Sequence, residues 1–319
     1  PLCPDKTRVS VEAASSASGT VKTIDGPEMN QETAAAVQEK VKPTVRRANV
    51  EDFDRIYPLL EEMNNARLRR EDWYRLFQDH WSIDEFSPGI VLELEDEIVG
   101  YIGTIYSRQI VDGTPRLFCN LTTWIVREEF RSHSIMMIFS LVRRKDVVLT
   151  SFSSNDVTYE VYKKLGFRDG NRGKRIVYPF PSFGSNKCEL LTDASEIEKE
   201  ISKENRELFD AHKNFGNVYI LARFNGDECL IMGVSNKGLL NICFVSDEAF
   251  LQKHLKHLRN RIMSKCGAKK IIVDEQLLNN APLLLSRKVI WGNPYQYKAA
   301  KNEILSPTPV YSEIFVLNL

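Results

Sequence analysis

No stretch of this chain comes near the roughly 20 consecutive apolar residues that a membrane-crossing helix needs, so a spanning helix is not expected. Paired cysteines are missing as well. Cys3, Cys119, Cys188, Cys229, Cys243 and Cys266 lie far apart with no C-x-x-C, and Cys119 and Cys243 sit inside apolar runs. That usage fits a reducing cytoplasm better than a disulfide framework. Charge of one sign is absent: 43 Lys and Arg balance 43 Asp and Glu. A duplex-binding protein shows a basic excess on one face, so nucleic acid is excluded as the main partner. The opening PLCPDKTRV has neither the basic start nor the apolar centre of a secretory signal. Residues 1–43 have no aromatics and are rich in Ser, Ala, Thr, Glu and Gly; they cannot bury enough surface to offset their ordering entropy. They read as a flexible arm, with a helix expected around Gln31–Lys40.

What is present is enough apolar material, 43% of 319 residues, to fill two domains of roughly 100–200 residues each. Folding pattern begins at Thr44. A short strand (Thr44–Arg47) leads to a helix on which Phe53, Ile56, Tyr57, Leu59 and Leu60 recur at helical spacing, capped by Asn49 or Asp52. A second helix, REDWYRLFQDHW, follows. Then GIVLELEDEIVGYIGTIYSRQIVDGTPRLFCNLTTWIV reads as three antiparallel strands broken at Glu95-Asp96-Glu97 and Asp112-Gly113. A helix over Ser134–Arg144 comes next, then strand DVVLTSFS, expected to lie parallel to TTWIV because a helix joins the two. A helix NDVTYEVYKKL ends at Gly166, and a last strand is read at KRIVYPF. The segment Pro179–Lys187 is read as a join. Beyond it the theme repeats: a helix through EIEKEISKENRELFDAHKNF, three strands, the long helix DEAFLQKHLKHLRNRIMSKCG, a strand KKIIVDEQ and a strand EIFVLNL. LFQDHW and LFDAHKNF hold the same place in the two halves. The expected domains are 44–180 and 186–319.

Chemistry concentrates where the strand TTWIV passes through a charged turn into the Ser134 helix. Two parallel strands that part leave a crevice at their carboxyl ends, and the helix start aims unpaired N–H groups and the positive end of its dipole into it. Arg131 adds a fixed positive charge. Here the chain resembles the GNAT superfamily of acetyl-CoA-dependent N-acetyltransferases. Arg131-Ser132-His133-Ser134-Ile135-Met136 stands where that family has Q/R-x-x-G-x-G/A, with Ser134 at the usual Gly and Met136 at the usual Gly or Ala. Asn155 followed by EVYKKLGF (Glu160–Phe167) matches its second signature. The resemblance covers about Thr44 to Phe180.

The resemblance implies an α/β fold with a central mixed sheet flanked by helices. It also implies acetyl-CoA, or another acyl-CoA, as co-substrate, with no metal. The backbone of Ile125 and Val126 would pair with the pantetheine. The amides of Arg131, Ser132, His133, Ser134, Ile135 and Met136 would cradle the pyrophosphate, and Asn155 would meet the pantetheine arm or the acyl end. Tyr162 would protonate the departing thiolate. An amine would attack the thioester directly, with the strand amide near Val126 polarising the carbonyl oxygen.

Plainer uses compete for the same residues. Tyr162 can simply pack on the sheet, and Asn155 can be a helix N-cap. No general base stands out: Glu93, Glu95, His80 and His133 read as solvated, structural or cofactor-side groups. His254 and His257 read as part of a basic, solvent-facing helix rather than a metal pair, and Cys119 as strand packing. Asp247-Glu248, at the matching place in the second half, repels an anion there, so that half is not expected to bind CoA. Its expected task is to complete the sheet, shape the acceptor pocket or stand in for a dimer partner. The preferred reading is a tandem GNAT-like N-acyltransferase acting on a small-molecule amine, monomer or homodimer. The competitor is a module that keeps the fold and binds or regulates without turnover.

Overall fold

In a computed structural model of the protein, residues 42–319 are described apart from 172, 181–187, 291 and 301–302. The arm up to residue 41, with the helix expected at Gln31–Lys40, and most of the Pro179–Lys187 join lie outside them. The first half runs β1 (Thr44–Arg47), α1 (Phe53–Glu62), α2 (Arg70–Tyr74), β2 (Gly89–Leu94), β3 (Glu97–Val111), β4 (Thr114–Val126), α3 (Ser134–Val142), β5 (Val147–Ser151), α4 (Asp156–Lys164), β6 (Arg168–Asp169) and β7 (Gly173–Val177). The second runs β8 (Glu189–Leu191), α5 (Ala194–Glu200), α6 (Lys203–Asp210), β9 (Val218–Phe224), β10 (Asp227–Asn236), β11 (Leu239–Val245), α7 (Glu248–Lys265), β12 (Lys270–Asp274), α8 (Glu275–Leu278), β13 (Ser286–Ile290), β14 (Gln296–Lys298) and α9 (Glu313–Val316). Up to β14 the order of the first half repeats in the second, element for element.

The hairpin grammar holds locally. Asp112 and Gly113 both take positive φ, 49° and 74°, as a tight two-residue turn between β3 and β4 requires. At the end of α4 the Phe167 amide bonds to the Tyr162 carbonyl (3.0 Å) and the Gly166 amide to Lys163 (3.1 Å), with Gly166 left-handed at φ 83°. This is a Schellman close, and it gives LGF its physical meaning: the turn folds Phe167 back onto the Tyr162 ring.

Among the described residues the strands form two mixed sheets. One has the order β1-β2-β3-β4-β5-β14-β6, the other β8-β9-β10-β11-β12-β7-β13. β4 is parallel to β5 and β11 to β12. The other pairings are antiparallel, and each half lends one strand to the other. β7, from the first half, lies between β12 and β13, whereas β14, from the second, lies between β5 and β6. Both sheets then share one apolar core, in which Phe53, Phe77 and Tyr101 meet Phe209, Tyr219, Met232 and Phe315. The repeated LF fragments pack on one another inside it: Trp81 donates Nε1–H to the Ala211 carbonyl (3.2 Å), and the His80 ring meets Phe215 edge-on.

Several expectations need correction. KRIVYPF does form a strand, but one that completes the second sheet. EIFVLNL is a short helix, because the Ser312 hydroxyl accepts the Ile314 amide and starts a helical turn. The single helix read through Glu196–Phe215 is broken at Ser202, whose amide bonds to the Glu228 carboxylate (3.1 Å) instead of continuing the helix. The α7 helix is solvent-facing on one side only: Lys253, Lys256 and His257 are exposed, but His254, Leu255, Leu258 and Arg259 are buried, and the Arg259 guanidinium lies over the Phe180 ring and bonds the Leu284 carbonyl. Neither β13 nor β14 was read from the sequence.

Candidate active site

The two parallel pairs end in the same way. β4 follows β5 only as far as Asn120 opposite Thr150, then runs on alone to Val126. β11 follows β12 only to Ile242 opposite Val273, then continues to Val245. Each departing strand carries a bulge against a glycine. Thr122 and Thr123 together oppose Gly103, and Cys243 is the extra residue beside Gly233. A Cβ on Gly103 would stand 2.6 Å from the Thr122 side chain, and one on Gly233 2.4 Å from the Asn241 carbonyl oxygen. The missing side chain lets the bulge close up, and the bulge bends the strand away from its parallel neighbour.

In the first half this parting is lined from both faces. Leu117, Cys119, Leu121 and Leu149 point to the α3–α4 side, where Tyr162 is 1% exposed and stacks between Trp124 (5.7 Å) and Phe167 (4.8 Å). Burial pushes the Tyr162 hydroxyl well above its ordinary value, with Glu313 and Cys119 adding to the effect, and pushes the Cys119 thiol up to about 12. Asn120 and Thr150 point to the opposite face, toward α9. The Thr150 hydroxyl donates to Asn120 Oδ1 (3.1 Å), which fixes the amide so that Asn120 Nδ2 donates to the Glu313 carboxylate. The Ser153 hydroxyl donates to the other Glu313 oxygen. Glu313 is 1% exposed, and burial raises its carboxyl above the usual range while these two donors oppose the rise. Among the described residues no cation pairs with it. A buried, unneutralised acid is costly, which makes it the most informative side chain of the site.

The residues singled out from the sequence fall around this point. Ile125 and Val126 end β4, paired with Tyr101 and Gly100 of β3. Arg131, Ser132 and His133 belong to a 3-10 turn over Glu128–His133 that runs straight into α3. Arg131 is exposed, 3.7 Å from Glu128; the Ser132 hydroxyl meets His133 Nδ1 (3.2 Å), and the Ser134 hydroxyl donates to the Arg131 carbonyl (2.7 Å). Ile135 is half-buried against the sheet and Met136 is exposed. Asn155 caps α4, its Oδ1 accepting the Thr158 amide (2.9 Å).

The acids and histidines weighed as bases lie elsewhere. Glu93 is held between Arg46 (2.6 Å) and Arg55 (2.5 Å), which lower its carboxyl. Glu95 is exposed in a turn, and His80 contacts the Arg75 carbonyl (2.8 Å) beside the inter-sheet core. No cluster of three or more metal-ligating side chains occurs among the described residues, and none of their helices is long and apolar enough to cross a membrane. Sequence reasoning missed Glu313, Asn120 and Ser153. The available signal, for two of them, was a polar residue set against apolar neighbours: Asn120 within LFCNL and Glu313 directly before IFVL.

A cavity of about 540 Å³ opens at the corresponding place in the second half, where β11 leaves β12. Its walls come from both halves: Phe152, Ser153 and Ser154 follow β5, whereas Asn241 and Val245 belong to β11 and Ile314 to α9. Ser153 therefore touches both Glu313 and the cavity.

No family model matches the sequence, and no curated protein does. Solved structures match the fold instead. A conserved protein of unknown function from Enterococcus faecalis V583, described as a probable N-acyltransferase, aligns over 82% of this chain and 73% of its own, with a TM-score of 0.57 at 12% identity. A GCN5-related N-acetyltransferase from Anabaena variabilis aligns over the same shares, with a TM-score of 0.56 at 9% identity. One from Kribbella flavida aligns over 81% and 71%, at 0.52 and 13%. The chain has the fold of the GCN5-related N-acetyltransferases.

Proposed function

We propose that the protein is an N-acyltransferase, a tandem of two GNAT-like halves, which moves an acetyl group from acetyl-CoA to an amine of a small molecule. The parting of β4 from β5 at Asn120 carries the reading, because it leaves a strand edge, Leu121–Val126, with backbone groups free on the β5 side. Pantetheine amides would pair with that edge at Ile125 and Val126, and its pyrophosphate would rest at the turn from Arg131 to Met136, with Asn155 beside the acyl arm. The thioester carbonyl would take a hydrogen bond from the strand amide near Val126 as negative charge develops on its oxygen.

Tyr162 would act as the acid. Its hydroxyl keeps its proton because burial holds it far above the ordinary range, so it is in the protonated form when the sulfur departs. The amine nitrogen forms its bond to the acyl carbon, the carbon–sulfur bond breaks, and the sulfur takes the Tyr162 proton. The chain would work in the cytoplasm, with no metal and no nucleic-acid partner.

Calorimetric titration with acetyl-CoA, followed by thiol release in the presence of amines, tests this. Binding with turnover supports it; no binding removes it, and binding without release under any amine leaves the non-catalytic module. Arg131→Ala should weaken CoA binding about tenfold, roughly 1.4 kcal/mol, if the pyrophosphate rests at its turn. Unchanged affinity would move the phosphates elsewhere.

A further inference from the structure

We infer that the cavity where β11 leaves β12 is the acceptor site, built for a small cationic amine rich in hydrogen-bond donors, and that Ser153 and Glu313 carry the amine's proton away from it. The inference rests on the transferase reading and deepens it.

Three residues that line the cavity, Ser154, Asn241 and Thr308, each carry a buried side-chain oxygen with no hydrogen-bond partner. A polar occupant would satisfy them once these side chains turn toward it. Asn241 Oδ1 can only accept, and the hydroxyls can accept as well, so the occupant brings donors. The charged lining is one cation against two carboxylates: Lys174 is paired with Asp274 (3.3 Å), which leaves Glu248 at the start of α7 in excess. Phe152 and Tyr295 stack on one side, 5.3 Å apart, as a face for carbon. An ammonium compound with hydroxyl or further amine groups meets all of these demands, and an anionic acceptor does not.

Ser153 lies where this cavity meets the parting of β4 and β5. Its hydroxyl accepts a proton from the ammonium and passes its own to Glu313, and the proton leaves for solvent back through Ser153, the exposed member of the pair. The neutral nitrogen then attacks, and the second nitrogen proton restores Tyr162 after that residue has protonated the sulfur. One thioester and one ammonium become one amide, one thiol and one released proton. Ser153 is the group in contact with substrate; Glu313 acts through it as a positioning residue. The titratable group that interacts with Glu313 is Tyr162, held neutral by burial. Arg75 approaches α9 only at the Val316 carbonyl (3.4 Å).

The test uses the full chain, with glucosamine, spermidine and glycine ethyl ester as probes and thiol release read from pH 6 to 10. Expected are a rate that rises with pH through one ionisation in the native protein, loss of that limb in Glu313→Gln with a rate at least 100-fold lower, and unchanged CoA affinity. A carboxylate of purely structural use predicts an intact limb. Asn241→Phe should raise KM for the amine tenfold or more and leave CoA binding alone. A Glu313→Gln variant at the native rate or an unchanged KM in Asn241→Phe would each overturn the inference. Absence of CoA binding, or CoA binding with no release by any probe, instead strikes the transferase reading on which it stands.

Discussion

Glu313 is a carboxylate that the fold keeps away from water with two neutral donors and, among the described residues, no cation, and the sign of its effect on stability follows. Its folded value is raised above the ordinary 4.5, so the stability tied to its neutral form is present below that value and is lost as pH rises through the raised one. Glu313→Gln keeps the shape and removes the buried charge. Its melting temperature at pH 8 should therefore equal or exceed that of the native protein while turnover falls. A drop of several degrees would mean that the charge is stabilising. Tyr162→Phe gives the complementary case: the ring stays stacked on Trp124 and Phe167, so the fold and CoA affinity should hold while thiol release slows by 10-fold or more. An unchanged rate removes the acid role.

Elements decide how much of this could be read from residue order alone. The hairpins of β2–β4, the helix ending at Gly166 and the parallel β5 all rest on local rules of turn chemistry and period, and these were legible. EIFVLNL was misread because four helical residues are too few to show a period, and the cap that makes the helix is a single serine. Gly103 and Gly233 gave no sign of their bulges, since a glycine within a strand has several uses. Asn155 was legible as a cap: Asn155→Ala should cost about 1 kcal/mol in urea unfolding, and a loss near zero would mean that the Thr158 amide finds another partner. The repeated fragments LFQDHW and LFDAHKNF proved to be neighbours in space. Burial lowers His212 to about 4 against 6.5 unfolded, so the unfolded chain takes up a proton in that window and the folded one does not. The stability contribution is present above about 6.5 and lost as pH falls toward 4, by about 3 kcal/mol at most. His212→Leu should flatten that limb in urea midpoints measured against pH.

For the whole molecule, the exchange of β7 and β14 is what sequence reading could not reach. Both are short strands, and nothing in either says which sheet it joins. The exchange makes each half incomplete alone: residues 42–180 would lack β14 between β5 and β6 and leave β7 with no partner. The full chain should unfold in urea as one transition, and the fragment 42–180 should show no cooperative one. A sharp transition in the fragment would mean that the exchange is dispensable. The same arrangement puts one parting of parallel strands in each half with Ser153 between them, which suits a reaction of two substrates. Amide hydrogen exchange on adding acetyl-CoA tests this division most directly. The account predicts slowed exchange along Leu121–Val126 and the turn at Arg131–Met136, with Asn241–Val245 unaffected; protection confined to Asn241–Val245 and the start of α7 would contradict it.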